Sequence, residues 1–295
     1  MRVLVTGASG FVGHHIVRRL LADGHQVTGL ARSGQVSGPE GVTWALGDVV
    51  SGAGLAEAVH GVEAVIHLVG IIREQAGTTF EKVHVEGTRN VLAAAKRAGV
   101  GRLVHMSALG ADAASASVYR STKARAENLV KESGLAWTIL RPDMIVGVGD
   151  DFFTGTLRDL TIKPPVIPVV GSGDYPFRPI TAHDVAAAVS RTLELPATEG
   201  SSFDLVGPRE YTLRELQLLV RDTLKVKKPL MGVPLWLMRV GIVLFRLLPN
   251  PPITREEFVM LTSTAPSDPT PAVVALGLEL EAVEDHLAVA LAAAA

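Results

Sequence analysis

Six short, nearly unbroken apolar runs recur at steady spacing in the first half of the chain: "RVLVTG" (2–7), "HQVTGLAR" (25–32), "VTWALGD" (42–48), "EAVIHLVG" (63–70), "RLVHMSAL" (102–109) and "AWTILRP" (136–142). Runs of this length without polar alternation are strands covered on both faces, the state of strands inside a parallel sheet. Between them the apolar period lengthens to that of a helix. In "FVGHHIVRRLLADG" apolar residues fall at 12, 16, 17, 20 and 21 before Gly24, and "TTFEKVHVEGTRNVLAAAKRAG" ends at Gly99 in the same way. Strand and helix alternating in this manner require right-handed crossovers. The fold class expected is therefore α/β, a doubly wound parallel sheet of the Rossmann type, whose ligands bind at the carboxyl ends of the strands.

The second half has a different rhythm. Proline punctuates it in "IKPPVIP", "PFRP", "LPNPP" and "SDPTP", so its helices are short and set off by fixed turns. Residues 1–150 are read as a dinucleotide-binding domain. Residues 151–295 are read as a smaller substrate or lid lobe, part of which packs back on the sheet because "ITAHDVAAAVSRTLEL" and "SFDLVG" resume the helix–strand pattern.

Composition removes several functions. With no cysteine, thiolate catalysis, disulfides and Cys-ligated zinc are excluded, and the nine histidines show no metal-ligand spacing. A formal net charge of −2 with no basic stripe offers nothing to nucleic acid. The N-terminal "MRVLVTG" meets glycine before a secretory apolar core can form, so a cytoplasmic location is expected.

The first strand end reads "TGASGFVG", with Gly7, Gly10 and Gly13 between a strand and a helix. Glycines there permit a tight turn and let backbone approach a pyrophosphate at the helix N-terminus. Arg32 ends the second strand, where an acid would bind a ribose diol and an arginine can pair with a 2′-phosphate, so NADP(H) is preferred and NAD(H) is the alternative. Asp48 ends the third run; it either accepts from an adenine amino group or caps the next turn with Ser51. In "VYRSTKAR", Tyr119 and Lys123 lie four apart, on one face of a helix.

Taken together, "VTGASGFVG", "GDV", "VIHLVG", "VHVEGTRNVLAAAKRAGV", "LVHMSALGA", "YRSTKARAE" and "ILRPDMIVG" resemble the short-chain dehydrogenase/reductase superfamily. The resemblance is to its extended and atypical branches, which hold the NAD-dependent epimerases and dehydratases, and most of all to the NADPH-binding accessory subunit of respiratory complex I and its bacterial relatives. It implies that Gly7, Ser9, Gly10, Phe11, Val12 and Gly13 hold the pyrophosphate, with Arg32, Asp48 and Val49 toward the adenosine. Leu68, Val69 and Gly70 would run beneath the cofactor, and Pro142 and Val146 would border the nicotinamide. Ser107, Tyr119 and Lys123 would be the catalytic set: tyrosine as acid–base, its phenolate favoured by the lysine ammonium, lysine also on the ribose, serine on the substrate oxygen. His84 stands where many members carry asparagine. Two functions stay open: an oxidoreductase or epimerase/dehydratase transferring hydride, and a non-catalytic NADPH-binding accessory or assembly protein.

The segment "LMGVPLWLMRVGIVLFRLL" (230–248) raises the membrane question. Its apolar residues contribute roughly −5 kcal/mol toward insertion, but Arg239, Arg246, Pro234 and two glycines cancel most of that, so a span is rejected. What remains is a packed lid, a peripheral contact with a membrane or a protein, or a wall for an apolar substrate such as a quinone or isoprenoid, with a nucleotide sugar as the other substrate class.

Overall fold

The computed structural model describes residues 1–34, 38–245, 251, 253–263, 265 and 267–294. Arg246 and the end of the 230–248 segment lie outside the described residues. The elements in chain order are β1 (Arg2–Thr6), α1 (Phe11–Ala22), β2 (Gln26–Ala31), β3 (Thr43–Leu46), α2 (Leu55–Ala58), β4 (Ala64–His67), a π-helical turn (Glu81–Glu86), α3 (Gly87–Arg97), β5 (Arg102–Met106), α4 (Val118–Lys131) and β6 (Ala136–Pro142). They continue with β7 (Ile145–Val146), a second π-helical turn (Phe152–Leu157), α5 (Arg158–Ile162), β8 (Ile167–Val170), β9 (Pro176–Phe177), β10 (Ile180–Thr181), α6 (Ala182–Glu194) and β11 (Ser201–Leu205). The remainder is β12 (Tyr211–Thr212), α7 (Leu213–Thr223), β13 (Leu230–Val233), α8 (Leu235–Phe245), α9 (Arg255–Thr262), α10 (Thr270–Leu276) and α11 (Val283–Ala293).

The chain forms two compact units, and a single cut at residue 150 does not separate them. The first unit comprises Met1–Pro142, Ala182–Leu205 and Asp268–Glu279; the second comprises Asp143–Thr181, Val206–Ser267 and Leu280–Ala295. The physical reason is the sheet. β11 pairs parallel with β6, Ser201 against Thr138 through Leu205 against Pro142, so the chain returns to complete it.

In the first unit seven parallel strands run in the order β11-β6-β5-β4-β1-β2-β3. Each of the six apolar runs supplies one strand. Side chains such as Val3, Val5, Val65, Ile66, Val104 and Ile139 are buried, as both-face coverage by helices requires. The strand order reverses between β1 and β4, and crevices at such switch points take ligands in sheets of this kind. Arg102 enters from the opposite, amino end; its guanidinium donates to the carbonyls of Ala136 (2.9 Å) and Thr192 (3.0 Å) and to Thr198 Oγ1 (3.0 Å), tying β5 to the returning segment.

The second unit has its own core, in which Phe153, Leu157, Tyr211, Leu216, Val220, Leu287 and Leu291 are buried together. Short strand pairs β7/β10, β9/β12 and β8/β13 brace it. The 230–248 segment is no single helix: residues 230–233 pair with β8, Pro234 interrupts, and α8 begins at Leu235.

Candidate active site

The turn after β1 is built for close approach. Gly7 has φ +78°, and a Cβ there would meet the Leu68 backbone and side chain at 3.3 Å. At Gly13, in the first turn of α1, a Cβ would lie 2.1 Å from the Gly7 carbonyl oxygen and 2.8 Å from Ala8. Only glycine fits at either position. Gly10 is the N-cap of α1 and supplies no side-chain cap, while Ser9 and Gly10 are exposed. The first amides of α1 thus face open space over a backbone cradle, the arrangement a pyrophosphate requires. Phe11 and Val12 are half-buried in that first turn, with the Phe11 ring edge-on to His15 at 5.5 Å.

The neighbouring strand ends surround this turn. Arg32 follows β2 and is exposed. Asp48 accepts from Val50 N–H (3.0 Å) and from the Ser51 hydroxyl (3.3 Å), so its carboxylate holds its own turn together. Val49 is a core residue, its carbonyl held by Asn90 Nδ2 at 2.9 Å. Leu68 and Val69 follow β4, Leu68 N–H donating to the Thr6 carbonyl (3.1 Å). Pro142 ends β6 and accepts from Leu109 N–H at 2.9 Å. Val146 belongs to the second unit, buried in the β7/β10 pair.

Ser117 caps α4 by accepting from Arg120 N–H at 3.3 Å, which starts the helix at Val118 and puts Tyr119 and Lys123 one turn apart. Lys123 is 5% exposed and donates to the Met106 carbonyl at 3.1 Å. A Cβ on Gly70 would lie 3.0 Å from Lys123 Nζ, so the ammonium rests against the segment after β4. Among the described residues no carboxylate forms an ion pair with it; burial pulls its pKa down from 10.5 to about 8. Tyr119 is half-buried, its ring packed edge to face on Phe80 at 5.8 Å and on His84 at 5.5 Å. Burial pushes the phenol up to about 12. This reverses the expected direction: desolvation outweighs the pull of the Arg120 guanidinium, and the phenol stays neutral.

Beneath the pair lies a buried polar network that sequence reasoning missed, apart from His84. His67 and His105 are register partners on β4 and β5, their rings 5.4 Å apart. Thr88 Oγ1 donates to the His84 carbonyl (2.6 Å), so it accepts from His67 Nε2–H (3.1 Å), leaving Nδ1 to accept from the Thr6 hydroxyl (2.6 Å). Thr122 donates to the carbonyls of Val118 and Tyr119 (2.8 and 3.0 Å), so it accepts from His84 Nδ1–H at 2.9 Å. His84 Nε2 then accepts from Ile71 N–H at 3.1 Å. Burial first, then the Lys123 charge, pulls His67 down to about 3 and His84 to about 2. Burial also pulls His105 well below its ordinary value. All three are neutral at pH 7, and Lys123 is the charge they surround. His84 sits in the π-helical turn, an irregularity frequent at functional sites.

One turn beyond Lys123, Glu127 is 2% exposed and takes a bidentate pair of bonds from Arg141 (2.7 and 2.6 Å). Ser107 is 3% exposed, and its hydroxyl meets no partner at hydrogen-bond geometry. It is near enough to Glu127 to add to Arg141 in holding that carboxyl low against the opposing effect of burial.

Residues 7–196 match the model of an NAD(P)H-binding family. The chain belongs to that family. Its relatives make it a protein of the short-chain dehydrogenase/reductase type, and a solved epimerase and a solved dehydratase, 16% and 21% identical, share its fold. It is 32% identical over 241 residues to a ceramide reductase of Caulobacter vibrioides, covering 79% of this chain and 73% of the relative. It is 29% identical over 237 residues to the 40 kDa subunit of NADH-ubiquinone oxidoreductase of Neurospora crassa, covering 78% of this chain and 62% of that subunit. Against an uncharacterised Mycobacterium tuberculosis relative, 28% identical over 216 residues, this chain spans 23% of the partner's length. The crystal structure of gox2253 superposes with a TM-score of 0.79 at 26% identity, over 99% of this chain and 97% of that one. In this NAD(P)H-binding protein the glycine cradle and the open α1 N-terminus fit a dinucleotide.

Proposed function

We propose that the protein is an NADPH-dependent reductase of a carbonyl on a long-chain, apolar substrate. The observation that carries this reading is the pair Tyr119 and Lys123: a buried lysine with no carboxylate ion pair among the described residues, one turn from a half-buried phenol and against the segment that follows β4. A cation so placed lowers stability unless a ligand uses it, which marks a functional site. The bound dinucleotide supplies or accepts the hydride. Lys123 donates to ribose hydroxyls, and the α1 amides with Gly7, Gly10 and Gly13 hold the pyrophosphate. Tyr119, a neutral phenol at pH 7, donates its Oη proton to the substrate oxygen as charge develops there. Ser107 acts through Glu127 as a positioning residue. The carbonyl class follows two relatives named as reductases, of ceramide and of 2-alkyl-3-oxoalkanoate, at 32% and 30% identity. The neighbours solved with nucleotide sugars are 20% identical or less and speak for the fold alone.

The preference for NADPH rests on exposed Arg32 at the end of β2. Arg32→Ala should weaken NADPH by about tenfold or more, the loss of one charge-assisted pair, and leave NADH unchanged. Equal affinity of the parent for both dinucleotides in calorimetry removes the assignment. Tyr119→Phe should abolish turnover of a long-chain ketone while NADPH binding stays within about twofold; activity equal to the parent's refutes the reading. The second reading is a binding-only accessory role, favoured by the likeness to the Neurospora subunit. NADPH that binds tightly while no carbonyl is reduced supports it.

A further inference from the structure

On α8, in the second unit, five large apolar side chains stand out of the protein: Trp236, Leu237, Val240, Val243 and Leu244. At about 100° per residue they form one stripe about 120° wide. Leu235, Met238, Gly241 and Ile242, half-buried, make up the inner face. A surface helix ordinarily turns its apolar stripe inward. This helix is apolar on both faces and offers one to solvent, with Trp236 66% and Val243 70% exposed. A contiguous exposed apolar patch is a contact surface for something else.

Charge decides what that is. Residues 223–255 contain six bases (Lys225, Lys227, Lys228, Arg239, Arg246 and Arg255) and no acid, in a chain whose formal net charge is −2. Arg239 is exposed and borders the stripe, and Lys227 is exposed upstream of it. Lys228 donates to the carbonyls of Pro164 (2.8 Å) and Ile162, which fixes one charge at the base of the segment. Two copies meeting about a two-fold axis would press base-rich, acid-free segments together. An anionic lipid surface satisfies the stripe and the charges at once. A helix of 11 residues is about 16 Å long, well short of the ~30 Å hydrocarbon core, and among the described residues no helix is long and apolar enough to cross a membrane. We propose that α8 lies in the plane of an anionic bilayer interface, its stripe among the acyl chains and its bases among the headgroups.

The test is sedimentation of the full chain with vesicles of phosphatidylcholine, alone or with about 30% phosphatidylglycerol. Binding to the anionic vesicles should fall at least about tenfold as salt rises from about 50 to about 500 mM. Lys227→Gln and Arg239→Gln should each weaken it about fivefold, equivalent to about 1 kcal/mol per basic residue. Val243→Ser with Leu244→Ser should abolish it. All four side chains are exposed, so a melting curve unchanged from the parent is expected and checks the fold. No sedimentation at low salt overturns the proposal, as does equal, salt-independent binding to neutral vesicles. A lipid-free dimer that Val243→Ser with Leu244→Ser dissolves, with no vesicle binding, assigns the surface to a second copy instead.

Discussion

Replacing Lys123 with Met should stabilise the protein in the absence of cofactor while destroying its function. The ammonium is 5% exposed and burial holds its pKa at about 8, against 10.5 for a free lysine. At about 1.36 kcal/mol per pH unit, keeping it charged at pH 7 costs roughly 3 kcal/mol. Removing it orphans the Met106 carbonyl, now bonded at 3.1 Å, at a cost of about 1–2 kcal/mol. Met fills most of the vacated volume, so the net gain at pH 7 should be about 1–2 kcal/mol. The sign of the pH dependence is the sharper test. Between about pH 8 and 10.5 the unfolded parent binds more protons than the folded one, so its stability rises with pH. The variant lacks that rise, and its advantage should shrink by about 2.5 kcal/mol from pH 7 to pH 10. Urea unfolding of both proteins at the two pH values, with equal m-values, measures it. A difference that stays constant between pH 7 and pH 10 refutes the reasoning, whatever its size.

Two further outcomes follow from the same unit. Glu127→Gln leaves Arg141 in its half-buried site without a countercharge and should cost about 2–3 kcal/mol in urea unfolding at pH 7; because Arg141 holds the folded carboxyl below 4.5, the gap to the parent should close as pH falls through the acid range. A loss below about 1 kcal/mol at pH 7 would show that the pair contributes little. Gly13→Ala drives a methyl to 2.1 Å from the Gly7 carbonyl oxygen, so the turn must shift; we expect a cost of about 1–3 kcal/mol and loss of NADPH binding in a fluorescence titration, and parental affinity contradicts the cradle.

The sheet was legible because its strands are covered on both faces, and that coverage writes itself as runs such as "RVLVT" and "RLVHM". The glycine turn was legible because Gly7 and Gly13 answer a steric demand that no other residue meets. The placing of Tyr119 one turn from Lys123 was legible because helical spacing fixes it. What lay hidden depends on contacts distant in sequence. His67 reads as an ordinary member of an apolar run, and only the register of β4 on β5 brings it to His105. Thr88 and Thr122 gain meaning only once the π-helical turn turns His84 between them. The burial of Ser107 beside Glu127 follows from the packing of α4. The return of "SFDLVG" to the sheet was legible in its pattern; its place beside β6, about 60 residues earlier in the chain, was not.

The two open functions make different demands on these residues. A protein that only binds the dinucleotide needs the glycine cradle and a donor for the ribose, and Lys123 supplies that donor. It has no need of a phenol one turn away. A half-buried tyrosine packed on Phe80 and His84, its phenol pushed up to about 12 by burial, is what the reductase reading asks for as a proton donor. The neutral imidazoles below it serve the same end: charged, they would drive Lys123 to release its proton, whereas neutral they leave it the local cation at pH 7. Binding alone accounts for the lysine. The tyrosine one turn away is the proton donor that the proposed reduction needs, and Tyr119→Phe separates the two readings.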